Sequence, residues 1–449
     1  MDQPCPSAPP PPYAEDPPVY GNAAPLVGEG LQAVDFLPRM LAGDWDDGPS
    51  GRSTPRFYPE YEPFSVLVER ANTFLHQHPR CCVNTCESVE LRVHKRGRSV
   101  DKEWSLFTVY GESSNRYIRG LRLWTQRVVS ANQTEPDQIG YVDFLPQIAA
   151  DQVERLDGVL HRVNSDPIKG QLITMETLPI KWGSNGLDPE RTIWTEGTWT
   201  SERFVQVIRM FYLRGRVQHA QVGVMDFVPV RLDSAGGSAR PRMETFPAVM
   251  QRTKEWLLSV PPNYRLINIQ TVSFRWNDKK ALDTKDMTYS LSKKQLVYLR
   301  FLRVAYLTED PADGPISRSM IQLGCKLIVP QRVPRTGFFD EIVLESQEAC
   351  RQRVDAWVKA AGARVVAAET LVMRVAGGGE AVYGMDAMHT WNDTHQVHVR
   401  TSSRTVREDE QFMYVYRIYT DGMVAEVREI RTEPDDTREM ENGAGCPIV

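Results

Sequence analysis

The sequence lacks the patterns that mark several large classes of protein. It contains no run of eighteen apolar residues, so it predicts no membrane-spanning helix. Its opening is proline-rich rather than basic and then apolar, which argues against a secretory signal peptide. It has no block of five or more Lys and Arg residues, and its net charge is −5 with a pI near 6.0. We therefore expect no nucleic-acid partner.

Familiar catalytic motifs are missing as well. The sequence shows no Walker loop, GxGxxG, HExxH, GxSxG or kinase signature, and it predicts no cofactor. Seven cysteines, an odd number at irregular spacing, indicate a reducing compartment rather than a disulfide framework. The expected location is therefore the cytoplasm, and an enzyme would need a polar site assembled from distant segments.

The first twenty residues hold three overlapping short motifs. They are Pro6-Ser7-Ala8-Pro9, Pro10-Pro11-Pro12-Tyr13 and Pro17-Pro18-Val19-Tyr20. Proline fixes φ and removes the backbone donor, so this run favours an extended polyproline II form. WW domains bind prolines in that form, and Tyr13 and Tyr20 are placed to occupy the neighbouring pocket.

Together, the three motifs resemble segments that known partner domains bind. The Pro-Ser-Ala-Pro tetrapeptide resembles the motif read by the ubiquitin-E2-variant domain of the endosomal sorting machinery. With the two tyrosine motifs it resembles the late-domain segments of endosomal adaptors, some arrestin-domain proteins and viral budding proteins. The resemblance covers residues 6–20 and implies two partners, WW-domain HECT ubiquitin ligases and ESCRT-I. The alternative is an inert proline-rich tail.

The last four residues, Cys446-Pro447-Ile448-Val449, have the outline of a prenylation box. Pro447 and Val449 depart from its usual occupants. The preceding residues 432–441 are acidic, so a lipid on Cys446 would hold a membrane without electrostatic help. We expect either peripheral attachment to endosomal or plasma membranes or an unmodified tail.

An internal repeat organises the middle of the chain. An amphipathic helical pattern that begins at Phe64 and stops at Pro79 recurs from Phe246 to Pro261, at an offset of 182 residues. A second pair, out of phase with the first, starts at Glu176-Thr177 and at Glu369-Thr370. A phrase of the type Asp-Phe-Leu-Pro recurs between these segments. Its copies are Asp35 to Pro38, Asp143 to Pro146, Asp226 to Pro229 and, more weakly, Leu327 to Pro330.

These repeats predict an α+β fold of four tandem helix-plus-antiparallel-sheet modules arranged as two duplicated halves. We expect a disordered proline-rich tail at 1–55, a first half at 56–232 with modules at 56–146 and 147–232, a second half at 241–429 with modules at 241–330 and 331–429, and a disordered acidic tail at 430–449. The face of each sheet away from its helix would pack on a sister module or hold a ligand.

Three groups of side chains could carry chemistry. The first is His76, His78, Cys81, Cys82 and Cys86; the sister segment has Leu258, Val260, Tyr264, Arg265 and Ile269, so we predict no metal. The second is His389, His395 and His398, which fit a solvated hairpin because residues 395 and 398 would face opposite sides of a strand. The third is the strand arginines, which would form an anion-binding groove or pair with surface carboxylates. They are Arg119, Arg122, Arg209, Arg300, Arg303 and Arg417.

Three functions remain open at this point. The leading one is a non-enzymatic adaptor that recruits partners through its N-terminal motifs and binds a cargo through its repeats. The second is a protein that holds a small apolar molecule or lipid in helix-on-sheet cups. The third is an enzyme with an active site in such a cup, although the sequence nominates no catalytic residue.

Overall fold

A computed structural model describes most of the chain between residues 30 and 422. The described residues are 30–42, 59–93, 100, 102–109, 115–127, 135–149, 152–183, 186–196, 202–218, 220–233, 242–276, 282–291, 296–309, 321–333, 343–375, 385–392 and 410–422. The N-terminal motifs at residues 6–20 and Cys446 at the C-terminus lie outside them.

The described residues form twenty strands and four helices in four successive repeats. Repeat 1 contains β1 Gln32–Phe36, β2 Met40–Ala42, β3 Glu60–Tyr61, α1 Phe64–Gln77, β4 Cys81–Arg92, β5 Leu106–Val109 and β6 Asn115–Arg127. Repeat 2 contains β7 Ile139–Phe144, β8 Ile148–Ala149, β9 Gln152–Val153, α2 Leu156–Val163, β10 Ile168–Trp182, β11 Ile193–Glu196 and β12 Glu202–Gln218. Repeat 3 contains β13 Ala220–Phe227, α3 Phe246–Ser259, β14 Tyr264–Trp276, β15 Thr288–Leu291 and β16 Leu296–Glu309. Repeat 4 contains β17 Leu323–Ile328, α4 Gln347–Ala361, β18 Arg364–Val375, β19 His389–Asn392 and β20 Glu410–Asp421.

Each repeat builds most of one antiparallel sheet. Its middle strand is its last one, β6, β12, β16 or β20. An inner strand, β4, β10, β14 or β18, pairs along one side of the middle strand. On the other side, the first strand of the repeat, β1, β7, β13 or β17, pairs with part of the middle strand. This leaves the start of each middle strand open to a fourth strand.

The fourth strand comes from a neighbouring repeat. Strands β11, β15 and β19 each leave their own repeat and pair with the middle strand of the repeat before it. Strand β5 of repeat 1 pairs with β20 of repeat 4, where Leu106 lies opposite Met413 and Val109 opposite Glu410. The inner strands also contact one another in the cyclic order β4, β10, β14, β18. The four sheets therefore form a closed ring, in the manner of a four-bladed β-propeller.

The predicted α+β fold with two duplicated halves is wrong. The described residues are mostly β, with 56% in strands and 19% in helices, and the four four-stranded sheets form one ring. The physical reason lies in the exchanged strands. Because every sheet is completed by a strand of the neighbouring repeat, no repeat is a self-contained helix-on-sheet module and no division into two halves arises.

The helices fill the space at the outside of the sheets. Helix α1 buries Phe64, Leu67 and Leu75 against Leu121 of its own sheet and Phe211 of the next. Each such side chain contributes roughly 1.5–3 kcal/mol through removal from water. The same burial therefore folds the helix onto its sheet and joins two neighbouring repeats.

The helix N-termini are also capped by the neighbouring repeat. Helices α1, α2 and α3 have no side-chain cap, so their first N–H groups need other acceptors. Carbonyls that precede the exchanged strands supply them. The pairs are Phe64 N to Glu190 O at 3.0 Å, Leu156 N to Lys285 O at 2.9 Å, Phe246 N to Asp386 O at 2.8 Å and Gln347 N to Glu103 O at 2.9 Å. In all four repeats, the segment that leads into the exchanged strand therefore also caps the helix of the neighbouring repeat.

The repeated proline phrase has a role in each repeat as well. A helix arginine donates a hydrogen bond to the carbonyl of the residue just before the proline. These bonds are Arg70 to Leu37 at 2.8 Å, Arg162 to Leu145 at 2.7 Å, Arg252 to Val228 at 2.7 Å and Arg353 to Val329 at 3.0 Å. The same arginines form ion pairs with Glu62, Glu154, Glu244 and Glu345. Each phrase therefore ends the first strand and fixes the start of the helix.

The two ends of the described chain lie close together. The backbone of Gly30 lies against the side chains of Asp355 and Lys359 in the last two turns of α4. Just beyond that helix, Arg364 pairs with Asp421 at the end of β20. Among the described residues, none of the helices has the length and apolar character needed to span a bilayer.

Candidate functional site at the axis of the ring

The inner strands place four equivalent polar pairs around the axis. Each inner strand carries Glu or Gln followed by Ser or Thr. The Glu or Gln side chain accepts a hydrogen bond from the backbone N–H of the Ser or Thr in the neighbouring repeat. The bonds run from Ser88 N to Glu176 Oε1 at 2.8 Å, Thr177 N to Gln270 Oε1 at 2.8 Å, Thr271 N to Glu369 Oε2 at 2.6 Å and Thr370 N to Glu87 Oε2 at 2.7 Å. Consecutive repeats are thus joined in a closed circle.

An arginine on each middle strand reaches the same Ser or Thr hydroxyl. These bonds are Arg122 to Thr370 at 2.7 Å, Arg209 to Ser88 at 3.2 Å, Arg303 to Thr177 at 2.9 Å and Arg417 to Thr271 at 2.7 Å. All four arginines are at most 3% exposed. In repeats 1 to 3 a bidentate aspartate from the first strand holds the guanidinium. These partners are Asp35, Asp143 and Asp226, at 2.6–2.8 Å.

Repeat 4 departs from this pattern. Leu327 lies opposite Arg417, in the register position that Asp35 has opposite Arg122. The approach of Arg417 to Glu369 at 3.4 Å resembles that of Arg122 to Glu87 at 3.6 Å. Arg417 lies 3.7 Å above the ring of Phe246, as Arg209 lies above that of Phe64. The Nε of Arg417 has no hydrogen-bond partner. The loss of the aspartate removes one negative charge from this repeat.

The charges of the axial ring strongly affect one another. Burial alone would raise the pKa of Asp35, but Arg122 and Arg351 bring it below the ordinary value. Burial raises the pKa of Glu87 in spite of the opposing contacts of Arg122 and Thr370. Burial also raises the pKa of Glu176 to about 7, against the opposing hydrogen bonds of Ser88 and the charge of Arg209. Glu176 is therefore the axial carboxyl that titrates near neutral pH.

The inner strands line a partly open polar cavity of about 80 Å³ between these side chains. Its lining includes Thr85, Glu87, Thr174, Glu176, Asn268, Gln270 and Glu369. Ligand pockets for small organic molecules usually measure about 300–1,000 Å³ and are mostly apolar. This cavity has room for an ion or a few water molecules. It is too small and too polar for the apolar ligand of a helix-on-sheet cup.

The site shows hydrogen bonding rather than nucleophilic chemistry. Thr370 and Thr271 donate their hydroxyl hydrogens to Glu87 and Glu369, and both carboxylates also accept the backbone N–H of the same residues. Burial raises the pKa of the Cys86 thiol well above its usual range, so it is not a thiolate. These contacts join the repeats.

The structure brings four of the six predicted strand arginines together. Arg122, Arg209, Arg303 and Arg417 form the axial ring, buried rather than on the sheet surface. Arg119 and Arg300 lie three residues earlier on the same strands as Arg122 and Arg303. They donate to backbone carbonyls of the next repeat, Pro179 at 3.0 Å and Val372 at 2.9 Å. These contacts do not form an open anion-binding groove.

The described histidines and cysteines of the two predicted groups do not converge on one site. His78 Nδ1 contacts the Phe74 carbonyl at 2.8 Å, Cys81 and Cys82 are half-buried, and Cys86 is buried in the core. His389 begins β19, whereas His395 and His398 lie outside the described residues. Within the described ranges, no three or more His, Cys, Asp or Glu side chains are grouped so as to hold a metal ion.

Sequence reasoning missed the acidic half of the site. Glu176-Thr177 and Glu369-Thr370 stood out as a repeat, but Glu87-Ser88 and Gln270-Thr271 belong to the same set. The aspartates of the proline phrases could have been matched to the repeated arginines, since each pair lies directly opposite in the register.

No protein-family model, curated protein or solved structure matches this chain.

Proposed function

We propose that the protein is a non-enzymatic adaptor. Its N-terminal segment from Pro6 to Tyr20 recruits WW-domain HECT ubiquitin ligases, with ESCRT-I as the partner of Pro6-Ser7-Ala8-Pro9. The ring serves as the rigid body that binds cargo. The two tyrosine motifs beside the Pro-Ser-Ala-Pro motif carry the proposal, because tandem weak motifs act together through effective concentration.

The position of the chain ends supports this function. The N-terminal segment leaves the ring at Gly30, beside the end of α4, and the C-terminal segment leaves next to the Arg364–Asp421 pair just beyond that helix. Both segments therefore start from one place on the ring. A lipid on Cys446 would hold this side towards an endosomal or plasma membrane, where a recruited ligase meets its membrane-bound substrates.

The axial site supports a structural role over a catalytic one. Its arginines and most of its carboxylates are occupied by contacts between repeats, and its cavity has space for water or an ion rather than an organic substrate. These contacts stiffen a ring, as expected for a scaffold. They leave no activated nucleophile and no general base beside a substrate-sized space.

Affinity purification from cells tests the proposal. The full chain is compared with a Tyr13→Ala/Tyr20→Ala variant, and partners are identified by mass spectrometry. We expect WW-domain ligases with the first and their loss with the second, because the tyrosines fill pockets that alanine leaves empty. A Pro6→Ala/Pro9→Ala variant should lose ESCRT-I and keep the ligases. Identical partner lists for all three chains would contradict the adaptor function.

The membrane part of the proposal has its own test. A Cys446→Ser variant cannot carry a thioether-linked lipid, so we expect it to leave the membrane fraction while it keeps the ligases. Mass spectrometry of the C-terminal peptide measures the lipid directly. An unmodified Cys446 in the intact chain would remove membrane attachment from the account and leave ligase recruitment unaffected.

A further inference from the structure

The axial ring is balanced in charge in three of its repeats. In repeat 1 a second guanidinium, that of Arg351 on α4 of repeat 4, reaches Asp35 at 3.5 Å and adds to Arg122. Arg351 also pairs with the more exposed Glu348 at 2.8 Å and Glu103 at 3.1 Å. In repeat 3 the acidic position at the axis is the neutral Gln270, and in repeat 4 the aspartate position is Leu327. Each of these three repeats therefore has a cation to match each axial carboxylate.

Repeat 2 has one negative charge too many. Arg209 faces both Asp143 and Glu176. Its donors are used by other groups, since Nε and Nη2 bind Asp143 at 2.7 Å, Nη1 binds Ser88 Oγ at 3.2 Å and Nη2 also binds the Pro189 carbonyl at 3.0 Å. Of the other charged groups near Glu176, Glu87 is an anion as well. Glu176 is thus left without a cation of its own.

The free oxygen of Glu176 is buried at the cavity. Glu176 is only 4% exposed, its Oε1 accepts from Ser88 N, and its Oε2 has no hydrogen-bond partner. An ionised carboxylate oxygen buried without a partner is costly, so a counter-charge is expected beside it. The cavity lined by Glu176 supplies space for one.

Neutral oxygens line the same cavity. The Thr85 and Thr174 hydroxyls are 2.8 Å apart, and Thr174 Oγ1 also accepts from Cys86 N at 3.2 Å. Gln270 Oε1 accepts one hydrogen bond, from Thr177 N. Each of these oxygens has two lone pairs, so when Thr174 donates to Thr85 each keeps one lone pair for a ligand. Hard cations prefer such oxygen ligands, and the cavity of about 80 Å³ accommodates an ion with one or two waters of about 30 Å³ each.

We propose that the axial cavity is a binding site for one alkali cation, Na⁺ or K⁺, with Glu176 Oε2 as its charged ligand and the oxygens of Thr85, Thr174 and Gln270 as neutral ligands. The charge excess of one favours a monovalent ion. A divalent ion would call for several free carboxylate oxygens, whereas those of Glu87 and Glu369 accept hydrogen bonds from Thr370 and Thr271.

Thermal unfolding of the full chain tests the site. Midpoints are measured at pH 8.5 and constant ionic strength in NaCl, KCl and tetramethylammonium chloride, whose methyl groups keep the charge of that cation away from oxygen ligands. We expect the midpoint in Na⁺ or K⁺ to rise saturably by about 2–4 °C over tetramethylammonium, because a ligand that binds only the folded chain stabilises it. Equal midpoints in all three salts would overturn the proposal.

Two variants locate the effect. Glu176→Gln removes the free carboxylate, and Gln270 shows that glutamine fits this position, since it accepts from Thr177 N at 2.8 Å and donates to Thr177 O at 3.2 Å. The variant should lose the difference between the salts. Glu69→Gln makes the same change in net charge on the exposed face of α1 and should keep the difference. A salt difference that survives in Glu176→Gln would place the ion elsewhere and overturn the proposal.

A direct measurement on the unmodified chain guards against a variant that fails to fold. Crystals grown in RbCl should show an anomalous scattering peak between Glu176 and Thr174. If KCl raises the unfolding midpoint over tetramethylammonium chloride, a map without a peak in the cavity would overturn the site.

Discussion

Removal of one hydroxyl from the axial ring should cost much more than its size suggests. Thr370 lies where repeat 4 meets repeat 1, the interface that closes the ring. Its hydroxyl donates to Glu87 Oε1 at 2.6 Å and accepts from Arg122 Nη1 at 2.7 Å. Thr370→Val keeps the shape and the β-branched side chain that suits a strand, so the change isolates the two hydrogen bonds.

The expected cost follows from the charges on both partners. A hydrogen bond to a charged group contributes about 1.5–3 kcal/mol, and here two are lost together. Part of the lost free energy is recovered by the contacts that remain. The hydrogen bond from Thr370 N to Glu87 Oε2 at 2.7 Å is kept, and Arg122 Nη1 lies only 3.6 Å from Glu87 Oε1. We therefore expect Thr370→Val to lower the free energy of unfolding by about 2–4 kcal/mol.

Urea unfolding at pH 7 measures this difference, with the m-value as a check that the same surface is exposed. Thr73→Val is the matched control, because the Thr73 hydroxyl is exposed on α1 and bonds only the Glu69 carbonyl at 3.0 Å. The control should lie within about 0.5 kcal/mol of the unmodified chain. A Thr370→Val cost as small as that of the control would refute the role of the axial contacts.

Three further predictions concern other groups. The folded-state pKa of Glu176, about 7, lies above its value in the unfolded chain, so its contribution to stability is present at low pH and is lost as pH rises from about 5 to 8. In tetramethylammonium salts, Glu176→Gln should remove up to about 3 kcal/mol of the loss in unfolding free energy over this pH range. The same pH dependence in the variant and the unmodified chain would contradict this assignment. Arg155→Ala breaks ion pairs to Asp283 and Asp286, in which all three side chains are about half exposed. The change should lower the free energy of unfolding in urea by less than about 1 kcal/mol, because exposed ion pairs contribute little, and a loss several times larger would contradict this. Cys86 is buried with a raised pKa, so iodoacetamide should alkylate it only after unfolding; mass spectrometry reads this out, and alkylation in the native chain would be the contrary result.

Local sequence patterns predicted the helices well. Helices α1 and α3, Phe64–Gln77 and Phe246–Ser259, lie where the apolar spacing indicates them, and each ends shortly before a proline. Their amphipathic pattern is a property of neighbouring residues, so it can be read without a partner.

The ring could not be predicted in the same way. Strand β5, Leu106–Val109, is a short segment of strand-forming residues, and it pairs with Glu410–Met413 at the other end of the described chain. Only the geometry of four twisted sheets decides that the open position beside each middle strand accepts a strand from the next repeat. The predicted helix-on-sheet modules failed at this point, because the pattern indicates a strand and not its partner.

The sequence indicated only some of the residues of the axial site. Repeated arginines and Glu-Thr pairs appear in the sequence, but their meeting depends on the register across two repeats, as between Glu87 and Thr370. The weakened proline phrase at Leu327 did carry information. Its missing aspartate marks the repeat in which Arg417 has no bidentate partner.

Closure of the ring by β5 is the central structural claim, and a designed disulfide tests it most directly. Thr108 lies opposite Gln411 in the β5–β20 register, and facing residues of antiparallel strands have Cα atoms about 4.5–5.5 Å apart, within the range that a disulfide spans. In Thr108→Cys/Gln411→Cys, mild oxidation should give a monomer in which mass spectrometry finds the 108–411 cross-link, while either single variant gives none. A double variant that forms no such link, or links only between two chains, would contradict a ring closed within one chain.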